Sequence, residues 1–441
     1  MTLIDPNLQP PLPVSPEPRA APPSSKRDTA GLLLFIYHVT AVGIMFGGAV
    51  VMILSSIVQS LGITIPGVKE SAFLPSVMLA AALALCGALL IPATVQAARR
   101  MAGKPDAPVT LQPIRVRSAV ALIILWFVVA GSAQLFESAM NWMILPPFLI
   151  LGVGLPIYLL FRIGVAGLSV DSRQRAWNVF GVGLVAGPAL AGVAELLVYF
   201  ILLFAAGIFV MANPEWESIF LRIGEQLKNA SSMDQILTVV GPYLISPGAI
   251  IVMLLVVSVA IPIIEETVKP VGVWLLKKRP PTPQEGFVLG VLSGAGFALL
   301  ESAVALASTE SSWGVAFFAR IGGGIMHMMN TGLMGWAIAS FWRERKFLRL
   351  AGVYGLVIFT HGLWNALTIM VVVGGLRVAL ASSGTDALGA MMTLVSVLGL
   401  LAMATGGLIA LILLNLRMRR NSIQDLNPQP GQPDIKYPER V

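Results

Sequence analysis

The stretch AIPIIEETVKP, residues 260–270, lies inside a long apolar run, yet it carries Glu265, Glu266 and Lys269 within five positions. A soluble helix would set such groups on a solvated face, but here the flanking turns are apolar on every side. A charge at the centre of a membrane span costs roughly 2.5–3.5 kcal/mol on the insertion scale, and such residues mark function by default. Pro262 and Pro270 bracket the glutamates. Each lacks an N–H and crowds the carbonyl four residues back, which for Pro270 belongs to Glu266. The helix is therefore expected to bend or open here. Non-helical backbone at this depth is tolerated only against protein or a water-filled cavity, so the prolines predict a wet pocket at the glutamates.

The rest of the chain agrees with a membrane setting. Of its 441 residues, 56% are hydrophobic and 12% are charged, against about 25% charged in ordinary soluble domains. A helix needs roughly 20 apolar residues to cross a bilayer. Runs of that kind fall at 31–59, 74–97, 118–138, 142–161, 178–211, 246–276, 286–308, 316–341, 350–374 and 389–414. The expected fold is all-α: a polytopic transmembrane helix bundle of about ten spans.

Alternate loops are basic: Arg99, Arg100, Lys104, Arg115 and Arg117; Arg162, Arg173 and Arg175; Lys277, Lys278 and Arg279; Arg343, Arg345, Lys346 and Arg349; then Arg417, Arg419 and Arg420. The other loops hold only Lys69, Arg222, Lys228 and Arg377. By the positive-inside rule both termini are expected in the cytoplasm. The net charge of +7 is thus a topology signal. A nucleic-acid-binding stripe would lie on one solvated face, and no nucleic-acid partner is expected. The single cysteine, Cys86, excludes an internal disulfide and a thiolate cluster.

Residues 1–30 hold eight prolines and few large apolar side chains, so they are expected to be a disordered, Pro-rich cytoplasmic arm. The tail over 417–441 is expected to be disordered and cytoplasmic as well. In the longest outside segment, 213–235, Ile219, Phe220, Ile223 and Leu227 recur at helical spacing. They predict an amphipathic helix on the outer membrane surface.

Ionisable residues inside the spans are His38, Glu195, Glu265, Glu266, Lys269, Glu301, Arg320, His327 and His361. All but the first two lie between residues 251 and 375, on four consecutive spans. Counted from the basic loops at 1.5 Å per residue, Glu265, Glu301, His327 and His361 sit about 16–24 Å deep, near the midplane. Arg320 lies near the outer end of its helix, where it can snorkel. Glu195 reads either as a neutral, hydrogen-bonded carboxyl or as a partner behind the site.

Spacing gives each group a companion. His361 and Asn365 are four apart, as are His327 and Thr331, and Phe297 and Glu301. Glu265 precedes Lys269 by four and Glu266 precedes it by three. Adjacent helical side chains diverge by about 100°, so Glu265 and Glu266 are not expected to point into one site together.

A carboxylate, two imidazoles and an amide around a wet midplane cavity suit hydrolysis. Glutamate can act as general base on water, and His or Asn donors can stabilise an oxyanion. If zinc is used, Glu301, His327 and His361 supply a ligand set with an open position. The alternative is a proton- or ion-coupled transporter that uses the same buried Glu and His groups. The HExxH, GxGD and GxSG signatures of other intramembrane proteases are missing.

The segments EETVK (265–269), GFALLES (296–302), HMMNTGLMGWA (327–337) and HGLWNAL (361–367) follow in that order on consecutive helices. This pattern resembles the PrsW family of intramembrane proteases, which is similar to the wider CAAX-protease and bacteriocin-processing group. The resemblance covers roughly residues 180–375. It puts the glutamate pair on Glu265 and Glu266, the FxxxE glutamate on Glu301, and the two histidines on His327 and His361 with Asn365 as companion. Lys269 stands four residues after Glu265, where the CAAX pattern has an arginine five after.

The resemblance implies cleavage of a membrane-associated protein, which in some members is an anti-sigma factor. It leaves metal dependence open between a metalloprotease and a glutamate protease.

The expected roles are Glu265 as the base, Glu266 pairing with Lys269 or orienting the site, and Glu301 and His327 binding the water or a metal. His361 with Asn365 would stabilise the oxyanion. The expected division is N-terminal transmembrane helices without a recognised motif over 31–177, a PrsW-like catalytic core over 178–375, and a last transmembrane helix over 376–416. The partners expected are the lipid bilayer and a transmembrane protein substrate, in the bacterial cytoplasmic membrane.

Overall fold

In a computed structural model of the chain, the residues described are 28–61, 73–132, 141–308, 313–381 and 386–426. The expected arm up to residue 27 and the tail from 427 lie outside them. The described chain is helical apart from short connections and one two-stranded ladder. The helices are α1 (Thr29–Ser60), α2 (Phe73–Met101), α3 (Val116–Ser132), α4 (Asn141–Gly164), α5 (Arg173–Ala212), α6 (Pro214–Lys228) and α7 (Met233–Leu244). They continue with α8 (Pro247–Leu255), α9 (Ile261–Val268), α10 (Val271–Trp274), α11 (Pro283–Ala307), α12 (Trp313–Glu344), α13 (Phe347–Leu380) and α14 (Ala387–Leu426). α14 carries the chain in helix past residue 416, so 417–426 is not the unstructured tail expected there.

Among the described residues, eight helical segments are long and apolar enough to cross a membrane: α1, α2, α4, α5, the α8–α10 run, α11, α13 and α14. The other two expected spans are helical but differ in kind. α3 is apolar but has only 17 residues. α12 has 32 residues, but Arg320, His327, Asn330 and its glycines lower its apolar content. It can carry them because residues 322–332 are buried by neighbouring helices.

The centre of the bundle is α11, buried along most of its length. Gly286, Gly290 and Gly294, four apart on one face, lie against the backbone of α12. A methyl group on Gly290 would stand 2.2 Å from the Thr331 carbonyl oxygen, and one on Gly294 2.6 Å from that of His327. Small residues at this spacing let two membrane helices touch backbone to backbone. That contact sets the level of Glu301 against His327.

The basic loops collect at one end of the bundle. The strands β1 (Val109–Thr110) and β2 (Ser169–Val170) pair antiparallel, with Val109 opposite Val170. They join the α2–α3 and α4–α5 connections. Arg100 pairs with Asp28 at 2.8 Å before α1, and Arg175 pairs with Glu285 at 2.8 Å between the starts of α5 and α11. Arg343 donates to the Pro280 carbonyl at 2.9 Å, and Asn415 to that of Ala166 at 3.0 Å. At the opposite end, α6 presents Trp216, Phe220 and Leu221 outward and buries no residue.

Candidate active site

The backbone opens at both prolines, as the sequence leads one to expect. Between α8 and α9, residues Val256–Ala260 form one wide π-helical turn in which the Ile261 N–H reaches the Val256 carbonyl. Such turns are frequent at functional sites. Pro262 has no N–H for the Ser258 carbonyl. Gly362 of α13 packs onto that oxygen so closely that a methyl group would stand 2.2 Å from it. One turn on, Asn365 donates Nδ2 to the Val257 carbonyl at 2.8 Å. α9 then stops at Val268, Pro270 starts the next turn, and Ser293 donates its hydroxyl to the Lys269 carbonyl at 2.6 Å.

Two linked groups of side chains occupy this opening. In the first, Lys269 is fully buried. Its Nζ stands 2.6 Å from Glu266 Oε1 and 2.9 Å from Glu265 Oε2, with the Phe297 ring 4.9 Å away. His361 places Nδ1 2.8 Å from Glu266 Oε1 and Nε2 3.8 Å from Glu265 Oε2. In the second, Glu301 Oε2 lies 2.6 Å from His327 Nε2 and 3.0 Å from an Arg320 guanidinium nitrogen. Arg320 Nε also donates to the Ser302 hydroxyl at 3.0 Å. The two imidazoles join the groups edge to face, with centroids 5.8 Å apart. Glu195 of α5 lies within electrostatic reach of Glu265.

Exposure sorts the carboxylates. The Glu266 side chain is wholly enclosed, Glu265 keeps 12% and Glu301 36%. Three carboxylate oxygens of the cluster are buried without an aligned donor: Oε2 of Glu265, Glu266 and Glu301. The close contacts of Glu265 and Glu301 are therefore ion pairs by distance and not aligned hydrogen bonds.

The structure brings Glu265, Glu266, Glu301, His327 and His361 together. Asn365 gives one N–H of its amide to the Val257 carbonyl, which braces the wide turn. The structure corrects two expectations. Glu265 and Glu266 do reach the same two groups, because Lys269 and His361 bridge them where α9 ends. Arg320 pairs with Glu301 and does not simply snorkel. Its spacing of seven from His327 was the available signal, since residues seven apart share a helix face. Phe297 was seen as a companion of Glu301, but its place beneath Lys269 and 5.4 Å from the His327 ring needed the fold.

No curated protein and no solved structure matches the chain. A family model described as PrsW family intramembrane metalloprotease matches residues 197–400. That segment carries Glu265, Glu266, Lys269, Glu301, His327, His361 and Asn365, and over it the chain is similar to the PrsW family of intramembrane proteases.

Proposed function

We propose that Glu265 is the general base of a peptidase site that hydrolyses a membrane-embedded protein segment. The observation that carries this is the pairing of partial exposure with a fixed setting. Glu265 is the open member of the glutamate pair, 2.9 Å from Lys269 Nζ and 3.8 Å from His361 Nε2. Glu265 takes a proton from water as the water oxygen bonds to the scissile carbonyl carbon. When the C–N bond breaks, the proton passes to the departing amine. Glu266 is enclosed, so its role is to hold Lys269 and His361 in place. Asn365 acts through the backbone as a positioning residue.

If Nδ1 donates to Glu266, Nε2 of that neutral tautomer carries a lone pair. That suits a ligand or an acceptor, and the ring becomes an oxyanion donor only when protonated. A histidine fixed through its other ring nitrogen to a carboxylate is the usual arrangement behind a metal. With the unaligned oxygens of Glu265 and Glu301, this donor chemistry fits zinc. Among the described residues, no three His, Cys, Asp or Glu side chains stand gathered for a metal. Glu301, His327 and His361 would hold it, drawn from their present ion pairs. When bound, zinc would polarise water or a carbonyl oxygen.

A substrate segment has room beside α5. Residues 199–209 of that helix are exposed without interruption, and Glu301 is the most open carboxylate of the cluster. We infer a single transmembrane protein segment as substrate. An anti-sigma factor is one protein of that class.

The test is quantitative proteomics of membranes carrying the wild-type chain or Glu265→Gln. Removing a general base typically costs about 10²–10⁴-fold in rate, so at least one membrane protein should accumulate uncut. If no cleavage changes while the variant inserts normally, the assignment falls. Elemental analysis of the purified chain, with activity after chelation, separates the zinc and metal-free forms. The transporter reading draws on the same cluster but has no support from the family match.

A further inference from the structure

We propose that Arg320 is a positioning residue that clamps Glu301 at one carboxylate oxygen and leaves the other for the open side of the site. This deepens the peptidase reading and rests on it for the effect on cleavage, though not for the clamp.

The direction of the Arg320 side chain leads to this point. α12 starts at the end of the bundle away from the basic loops and reaches Arg343 in its last turn. Helical side chains lean toward the N-terminus of their helix. For Arg320 that direction leads away from the cluster. The residue lies seven positions in from Trp313, which is about 10 Å at 1.5 Å per residue, so its long stem could snorkel to water. The side chain goes the other way. Its Cζ and Nη2 lie 3.8 and 3.9 Å from where a methyl group on Gly323 would stand. Nη2 ends 3.0 Å from Glu301 Oε2, and His327, two turns further along α12, touches that same oxygen at 2.6 Å.

The clamp has two points. Nε donates to the Ser302 hydroxyl at 3.0 Å while Nη2 pairs with Glu301. One planar guanidinium thus holds two consecutive residues of α11, which the point charge of a lysine cannot do. Glu301 Oε2 is buried, yet the Glu301 side chain is 36% exposed. The exposure therefore belongs to the rest of the side chain, on the side from which water or a metal would arrive. The pair is not needed as glue between α11 and α12, because Gly286, Gly290 and Gly294 already hold those helices backbone to backbone. What it adds is a single orientation for a flexible glutamate at the most open edge of the cluster.

The experiment takes two readouts from the full chain. In lipid nanodiscs, infrared spectroscopy reads the carboxylate stretch of Glu301, assigned by its loss in Glu301→Gln. Arg320→Met should shift that band. Arg377→Met, which breaks the separate Arg377–Asp386 pair of 2.8 Å, should leave it in place. In cells, the readout is the cleavage rate of the membrane protein that accumulates uncut with Glu265→Gln. Removing a partner that orients a carboxylate at a metal site costs about 10–100-fold in affinity or activity, so Arg320→Met should slow cleavage at least about tenfold. Arg320→Lys, which keeps the charge and loses the fork, should restore part of the rate. Ser302→Ala removes one of the two points and should shift the band and slow cleavage by less than Arg320→Met does. It carries both readouts if Arg320→Met does not insert. A Glu301 band or a cleavage rate unchanged by Arg320→Met or by Ser302→Ala overturns the proposal, and so does an Arg320→Lys protein as slow as Arg320→Met. A shifted band with no membrane protein accumulating in Glu265→Gln cells keeps the clamp and removes the peptidase reading.

Discussion

At the residue scale, Lys269 does more than its spacing announced. An i,i+4 pair with Glu265 and an i,i+3 pair with Glu266 suggest a helix-surface contact worth a few tenths of a kcal/mol. Burial changes the magnitude. Lys269 and Glu266 are both fully enclosed, and removing one partner of such a pair costs about 3–5 kcal/mol because the other charge is left uncompensated. Lys269→Met should therefore lower the thermal unfolding midpoint sharply in detergent, while Lys269→Met with Glu266→Gln should recover much of the loss. Equal stability of the wild type and the single variant would show that the pair is not buried as described. The chemistry-bearing residue types and their shared depth were legible in the sequence. Which glutamate stays open was not, because that depends on where α9 stops and on which side α13 packs.

At the scale of elements, the site depends on two backbone contacts that no side-chain motif advertises. Gly362 and Asn365 together take up the turn that Pro262 loosens. The prolines announced an opening, but only α13 shows how its carbonyls are satisfied. The second contact is α11 on α12. Gly290→Ala places a methyl group 2.2 Å from the Thr331 carbonyl oxygen. Alanine favours helix by up to about 1 kcal/mol over glycine, but overpacking of this kind costs about 1–3 kcal/mol. Backbone cannot move aside as a flexible side chain can, so the net effect should be destabilising, with Glu301 moved off His327. Gly355→Ala, with open space around it, should be neutral or mildly stabilising. Thermal unfolding of the two variants side by side checks the sign. α12 was legible as a helix, but its glycines, His327 and Asn330 dilute the apolar signal. Its place inside the bundle follows from packing.

At the scale of the whole molecule, the ion pairs and the β1–β2 ladder tie the basic loops into one end plate. Asp28 with Arg100, Arg175 with Glu285, and Arg343 with Pro280 link the starts or ends of α1, α2, α5, α11 and α12. α6 and α7 lie at the other end. With those loops at one end, an even number of crossings separates each from the next, which counts both α3 and α12 as crossings. By the positive-inside rule the plate is predicted to face the cytoplasm. The prediction can be tested in a Cys86→Ala background with single cysteines at Lys104, Lys346 and Ser231, all exposed positions. An impermeant maleimide added to intact cells should label the cysteine at 231 and spare those at 104 and 346, which should react only after permeabilisation. Labelling of 104 and 346 from outside with 231 protected would invert the orientation. Labelling of 104 and 346 from opposite sides would break the end plate itself. The depth of the candidate cluster is measured from that plate. If the plate stands, Glu265 and Glu301 are reached from the middle of the bilayer, which is where a protease of transmembrane segments must work.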